Sequence, residues 1–118
     1  MVRIEQLAEA VLKGEGLTAR SLVQDFLGEN PRLVDIPRPV VADVRVLAAS
    51  ASLLELFAVR LGQDAPAWTK DIGPLPDPIF LLKAAARMKR LRELCEAESP
   101  EPLRKRGFYA PPNYLEFA

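Results

Sequence analysis

The prolines and glycines of this chain restrict its fold more than any other feature, because they cluster and leave long uninterrupted segments between them. All 11 prolines and all 6 glycines can be placed outside predicted helix interiors, where either residue would be destabilising. The intervening segments carry apolar residues at helical spacing, and none shows the alternation of a strand. The sequence therefore predicts an all-α fold, a single-domain helical bundle of about four to five helices over residues 1–118.

Residues 1–29 predict a helical hairpin at the amino end. The first helix covers residues 3–13, and the second runs from Thr18, a suitable N-cap, to a stop at Gly28. The next segment, residues 30–39, holds three prolines and predicts an extended linker, because each proline pushes the preceding residue away from helical angles. Its apolar side chains are expected to pin the linker to the body: Leu33, Val34 and Ile36.

The third predicted helix, residues 41–61, is the most apolar one and ends at Gly62. Only a narrow polar strip remains on it, near Arg45, Ser52 and Glu55, so it belongs in the middle of a bundle. Apolar residues alternately three and four apart form a seam for a partner helix: Val44, Leu47, Ala51, Leu54, Ala58 and Leu61.

The fourth predicted helix, residues 77–97, begins with Asp77 as N-cap and Pro78 at the first helical position. It repeats the spacing of the third helix with its own seam: Leu81, Ala84, Met88, Leu91 and Cys95. The two matching seams and the short connection predict a central antiparallel helix pair within residues 41–97.

The carboxyl-terminal region, residues 99–118, predicts a short helix closed by Gly107 and an aromatic C-terminal tail. The tail holds half of the aromatic residues of the chain: Phe108, Tyr109, Tyr114 and Phe117. An apolar tail must be covered, so it either folds back on its own bundle, which we favour, or enters a groove on a partner. Trp68, in the Pro-rich connection before the fourth helix, is interpreted as a wedge between helices.

The residues that usually start catalysis are missing. The chain has no histidine, which is the commonest general base near neutral pH, and only one cysteine, Cys95. A zinc site is excluded on the same ground, and Asp64, Asp71 and Asp77 are interpreted as solvated loop carboxylates. We therefore expect no catalytic residues, no metal, no cofactor and no enzyme activity.

Charge and hydropathy favour a protein that works in a complex. Acidic and basic residues balance at 16 each, which argues against a dedicated nucleic-acid binder and leaves little repulsion between molecules. We expect another protein as partner, and a homo-oligomer is possible. The first residues lack the apolar run of a signal peptide, and no transmembrane segment is predicted. A cytoplasmic location is expected.

A basic patch on the fourth predicted helix is the main alternative to protein binding. Lys83, Arg87 and Arg90 lie at successive turns and could contact phosphates. Glu93 and Glu96 interleave with further bases and offset this charge. We therefore interpret the patch as solvated or facing a protein, and keep a small nucleic-acid-associated protein as the alternative function.

Two motifs in the carboxyl-terminal half resemble a known group of proteins. They are Ala-Pro-Ala-Trp-Thr at residues 65–69 and Glu-Ser-Pro-Glu-Pro-Leu-Arg-Lys-Arg-Gly at residues 98–107, followed by the aromatic tail. This pattern resembles short bacterial and archaeal hypothetical proteins that are encoded beside nucleotidyltransferase-like proteins in toxin–antitoxin-type pairs. The chain departs from the DNA-binding relatives in lacking a helix-turn-helix.

The resemblance implies a non-catalytic, protein-binding accessory subunit, an antitoxin-like partner of a nucleotidyltransferase-type toxin that is encoded by an adjacent gene. Aromatic and arginine side chains tend to dominate interface energetics. The residues expected to contact the partner are therefore Trp68, Arg104, Arg106, Phe108, Tyr109, Tyr114 and Phe117.

Overall fold

Helical backbone makes up most of residues 1–116, the part of the chain that this computed structural model describes, and five α-helices account for the larger part of it. They are α1 (Ile4–Leu12), α2 (Gly16–Glu29), α3 (Val44–Leu61), α4 (Lys89–Glu98) and α5 (Glu101–Arg104). Two short strands, β1 (Ile79–Phe80) and β2 (Phe108–Tyr109), pair in parallel. Three 3-10 turns lie in the connections: Leu33–Asp35, Ala67–Asp71 and Lys83–Ala86. The predicted all-α fold is confirmed.

Helix α3 lies at the centre of the molecule. The Asp43 carboxylate caps its amino end by accepting a hydrogen bond from the Arg45 backbone N–H at 2.8 Å. Gly62 ends it at φ 66°, a left-handed conformation that favours glycine. Residues 48–58 are all buried, because α1, α5 and the Ala67–Asp71 turn pack around them. Neither α3 nor any other described helix has the length and apolar character needed to cross a bilayer.

The polar strip predicted on α3 is wrong. Ser52 and Glu55 are buried, and only Arg45 is exposed. The local spacing predicted an exposed Glu55, because it gives no sign of the cation that neutralises it. That cation, Arg106, lies 51 residues further along the chain. The predicted seam is buried in its middle but not at its two ends, where Val44 and Leu61 are exposed. Val59, which lies outside the seam, is also exposed.

The predicted fourth helix is also wrong over its first half. The backbone of β1 is extended, and the N–H groups of Ile79 and Leu81 donate to the carbonyls of Gly107 and Tyr109 at 2.8 and 3.0 Å. This pairing with β2 excludes helical backbone over residues 79–81, and Asp77 does not cap a helix there. The chain then passes through the Lys83–Ala86 turn before α4 begins.

The late start of α4 removes the predicted antiparallel helix pair. Helix α3 packs mainly on α1 and α5, whereas α4 packs mainly on the Lys83–Ala86 turn. Of the predicted seam, Leu81 and Cys95 are buried, but Ala84 and Met88 are exposed. Cys95 is the one buried residue of α4 itself.

Helix α2 extends beyond both of its predicted ends. It begins at Gly16, not at Thr18, and it continues through Gly28 to Glu29. Gly28 keeps helical backbone, and the helix is closed by Asn30, whose side-chain Nδ2 donates to the Phe26 carbonyl at 2.9 Å. An amide that satisfies a terminal carbonyl ends a helix without needing a glycine.

The proline-rich linker is held by Trp68. The indole Nε1–H donates to the Ile36 carbonyl at 2.8 Å, and both side chains pack against the core. Leu33 is fully buried, as expected, but Val34 is exposed. Trp68 therefore joins the linker to the body.

The carboxyl-terminal segment packs on its own bundle. Phe108, Tyr114 and Leu115 belong to the same core as α1 and α3, and burial raises the pKa of Tyr114 to about 12. The Ser99 hydroxyl anchors β2 by donating to the Phe108 carbonyl and accepting from the Ala110 N–H. Over residues 108–116 the tail therefore folds back on its own bundle, which was the favoured alternative. Phe117 lies outside the described residues.

Candidate functional site

The largest polar feature of the interior is a clamp built on Arg106. Its guanidinium donates to both carboxylate oxygens of Glu55, at 2.6 and 3.1 Å, and to the backbone carbonyls of Thr69 and Ile72, at 2.6 and 3.0 Å. The side chain is 2% exposed. Arg106 therefore joins three separate segments of the chain, and it is not accessible to a partner as predicted.

Glu55 is an ionised structural group. Burial alone would raise its pKa, but hydrogen bonds from Arg106 and Lys105, together with the Arg106 charge, outweigh this effect and lower the pKa to about 2. The Lys105 ammonium lies 2.7 Å from the carboxylate. A carboxylate with such a low pKa is a weak proton acceptor at neutral pH, so this cluster is suited to holding the fold rather than to acid–base chemistry.

The other residues expected at a partner interface are distributed unevenly. Phe108 and Tyr114 are buried, and Trp68 is half-buried under the linker, so these three are structural in this conformation. Tyr109 is half-buried and stacks on Phe80, with 5.3 Å between ring centroids. The remaining described residue, Arg104, is exposed and donates to the Ala97 carbonyl at 3.4 Å. The structure does not bring these side chains together into one surface.

An open groove lies between the carboxyl half of α3 and the segment around α5. Its volume is about 610 Å³, within the range of ligand and peptide sites. One wall is Val59 of α3, which is 72% exposed, and the others are largely apolar: Ala58, Ala65, Pro100, Pro102 and Pro112.

The rim of this groove is charged on both sides. Lys105 and Arg60 are engaged, Lys105 with Glu55 and Arg60 with the Pro112 carbonyl at 3.4 Å. Asp64 and Glu101 are exposed and form no ion pair with any residue in 1–116. The rim therefore carries charge of both signs: two carboxylates without an ion pair, and the Arg60 guanidinium, whose charge the Pro112 carbonyl does not neutralise.

The groove was not predicted from the sequence. A glutamate in the middle of an otherwise apolar helix was the available signal, because a buried carboxylate requires a cation nearby. A second open depression, of about 820 Å³, lies between residues 1–6 and 36–40. The groove beside α3 is the stronger candidate site, because the Arg106 clamp fixes the segments that form it.

The predicted basic patch does not lie on one continuous helix. Lys83 begins the Lys83–Ala86 turn, Arg87 follows that turn, and Arg90 is in the first turn of α4. All three are exposed. The Lys83 stem lies so close to Gly14 that a side chain there would come within 2.8 Å of the Lys83 Cε, which directs this lysine toward the end of α1.

The three aspartates of the loop before and after Trp68 do not form a cluster that could hold a metal ion. Among residues 1–116, no group of three or more histidine, cysteine, aspartate or glutamate side chains is placed to hold a metal ion. Asp64 lies at the groove rim, and Asp71 and Asp77 are exposed elsewhere in the loop.

Comparison with family models, with curated proteins and with solved structures finds no match to this chain.

Proposed function

We propose that this protein is a non-catalytic, protein-binding subunit, an antitoxin-like partner of a nucleotidyltransferase-type protein, and that it binds a segment of that partner in the groove beside α3. The observation that supports this function is an exposed valine, Val59, in an open apolar groove. When a partner covers apolar surface in a concave site, that surface is removed from water, and this stabilises the complex.

The charges at the rim define the chemistry of the partner segment. Asp64 and Glu101 are rim carboxylates without an ion pair in residues 1–116, so the matching segment presents apolar side chains with a lysine or arginine placed against these two positions. Complementary charge increases the association rate and excludes segments of the wrong charge. This assignment moves the contact away from the tail, whose aromatic residues 108 and 114 pack inside.

The groove is also pre-organised. The Glu55–Arg106 pair and the Lys105 contact tie α5 to α3, so binding does not have to order these elements first. A site that is rigid before binding loses less conformational entropy when the partner binds.

The test is co-expression with the protein that the adjacent gene encodes, followed by co-purification and a growth assay. Val59→Lys should fold and lose the partner at least about tenfold, because it removes apolar contact and repels a basic segment. Val44→Lys is the matched control: this valine is 66% exposed at the other end of the same helix, and its substitution should leave binding unchanged. Equal binding by both variants would exclude the groove. A native pair that neither associates nor affects growth would exclude the antitoxin-like function.

The alternative function is a nucleic-acid-associated protein, which is favoured by one observation. No acidic residue interrupts the bases between Lys83 and Arg92. Changing Lys83, Arg87 and Arg90 together to alanine should then abolish binding to labelled DNA or RNA, and the native affinity should fall steeply with salt. Fluorescence anisotropy that shows no such binding would remove this candidate.

A further inference from the structure

The charges of α4 are arranged against the dipole of their own helix. Its first turn contains Lys89 and Arg90 and no acid, and its last turn contains Glu96 and Glu98 and no base. A helix carries partial positive charge at its amino end and partial negative charge at its carboxyl end. Both sets of side chains are therefore at the end that repels them, in a helix of ten residues that is too short to be stable by itself.

All of these charges are exposed, and most of them are unpaired. Only Arg92 and Glu96 form an ion pair on α4, at 3.5 Å; Lys89, Arg90 and Glu98 form none with the other residues in 1–116. The two ends of α4 are about 15 Å apart, beyond a Debye length of about 8 Å at physiological salt. They therefore act as two separate charged regions and do not cancel each other.

We propose that α4 is a self-association surface, and that its partner is the α4 of a second copy of this chain, packed antiparallel across a two-fold axis. In that arrangement Lys89 and Arg90 of each copy lie beside Glu96 and Glu98 of the other. Each basic end also meets the negative dipole end of the opposite helix. Both interactions that are unfavourable within one chain become favourable between two, and one surface complements itself as a two-fold interface requires.

Exposed apolar side chains on and next to this helix add contact area. Leu94 lies near the middle of α4, and Met88 is the residue just before its first turn; both are exposed. The surface is small, so the dimer belongs at the low end of specific interfaces, near or below about 1,200 Å² in total. A small charged interface implies micromolar affinity that weakens as salt rises.

Charge reversal tests the pairing without weakening the fold. Lys89→Glu/Arg90→Glu makes α4 acidic, and Glu96→Lys/Glu98→Lys makes it basic. All four changes suit the helix dipole, and Glu96→Lys gives up only the exposed pair with Arg92, so each variant should stay folded by circular dichroism. Each should dimerise at least about tenfold more weakly than the native chain, and an equimolar mixture should recover the dimer. Arg38→Glu/Lys70→Glu, at two exposed positions away from α4, gives the same charge change as the acidic variant and should dimerise like the native chain.

Sedimentation equilibrium at low and high salt measures these outcomes. A native chain that is monomeric at low salt, reversed variants that dimerise as tightly as the native chain, or a mixture that stays monomeric would each overturn the proposal. So would a native monomer whose α4 binds only nucleic acid or the adjacent-gene protein. The proposed dimer does not depend on partner binding in the groove beside α3. Val59 lies outside α4, so Val59→Lys should leave the dimer intact.

Discussion

Glu55 shows how one buried charge can make the stability of a small protein depend on pH. Its pKa is about 2 in the folded protein, against 4.5 for an unperturbed glutamate. A group whose pKa is lower when folded stabilises the fold above its unfolded pKa, and this contribution is lost as pH falls toward the folded value. The pH window is therefore about 4.5 to about 2.

We expect the free energy of unfolding to fall by about 3 kcal/mol across this window on account of Glu55 alone. Denaturation at a series of pH values measures the loss, and an NMR titration of the Glu55 carboxyl in the native chain gives its pKa directly. Glu101→Gln, at an exposed carboxylate without an ion pair in residues 1–116, is the control and should destabilise the fold far less than Glu55→Gln. A Glu55 pKa near 4.5 would contradict the clamp.

Burial on α3 can be tested with two substitutions of opposite expected cost. Leu54 is fully buried in the core, so Leu54→Asp should destabilise the protein by about 4 kcal/mol or more, because it leaves an unpaired charge there. Arg45→Ala removes only an exposed pair with Asp43 and should cost about 0.5 kcal/mol or less. Thermal melts compare them, and equal shifts would mean that the burial of α3 is wrongly assigned.

At the scale of elements, local pattern predicts a helix well when that helix supplies its own boundaries. The centre of α3 could be predicted, because its apolar residues are continuous and Gly62 provides the left-handed end. The start of α4 could not, because apolar residues at positions 81, 84 and 88 match a helix equally well. Hydrogen bonds to Gly107 and Tyr109 decide that the preceding backbone is extended, and spacing does not reveal pairing across that distance.

At the candidate site, too, local pattern predicted what depends on neighbouring residues and missed what depends on a distant one. Burial of the tail on its own body was the favoured alternative because exposed aromatic residues are costly, and this reasoning needs no knowledge of the partner surface. The role of Arg106 was missed because an arginine in a basic run is usually solvated. Only Glu55, together with the carbonyls of Thr69 and Ile72, makes its burial favourable.

Ser99 allows a test of how α4 and α5 are joined to β2. Its hydroxyl hydrogen-bonds the Phe108 carbonyl and the Ala110 N–H. Ser99→Ala leaves these two buried backbone groups unsatisfied and should lower the free energy of unfolding by about 1–3 kcal/mol. Ser50→Ala is the matched control, because this equally buried hydroxyl only adds a second bond to the Val46 carbonyl of its own helix. Its cost should be below about 1 kcal/mol. Urea denaturation of both variants checks the difference, and equal costs would contradict the anchoring role.

At the scale of the whole molecule, the carboxyl-terminal segment completes the core. Phe108 is fully buried and Tyr109 is its half-buried neighbour. Phe108→Ala should cost about 3–5 kcal/mol, a large part of the stability of a domain this size. Tyr109→Ala should cost clearly less, because it loses only part of its contact area and the stack on Phe80.

Shortening the chain after Gly107 gives the stronger form of this test. We expect the shortened protein to lose its cooperative unfolding transition, because it exposes the surface that Tyr114 and Leu115 cover. Circular dichroism and urea denaturation measure the loss. A shortened protein that still unfolds cooperatively would show that the tail is dispensable, and would return it to consideration as a partner contact.

The distance between Glu55 and Arg106 along the chain also sets an order of events during protein synthesis. At translation rates of roughly 5–20 residues per second, the 51 residues that follow Glu55, up to and including Arg106, take about 3 to 10 s to add. Throughout that interval the nascent chain has a carboxylate in its central helix and no guanidinium to neutralise it. We therefore expect Glu55 to stay solvated, and the packing around the middle of α3 to be completed only after Arg106 has left the ribosome.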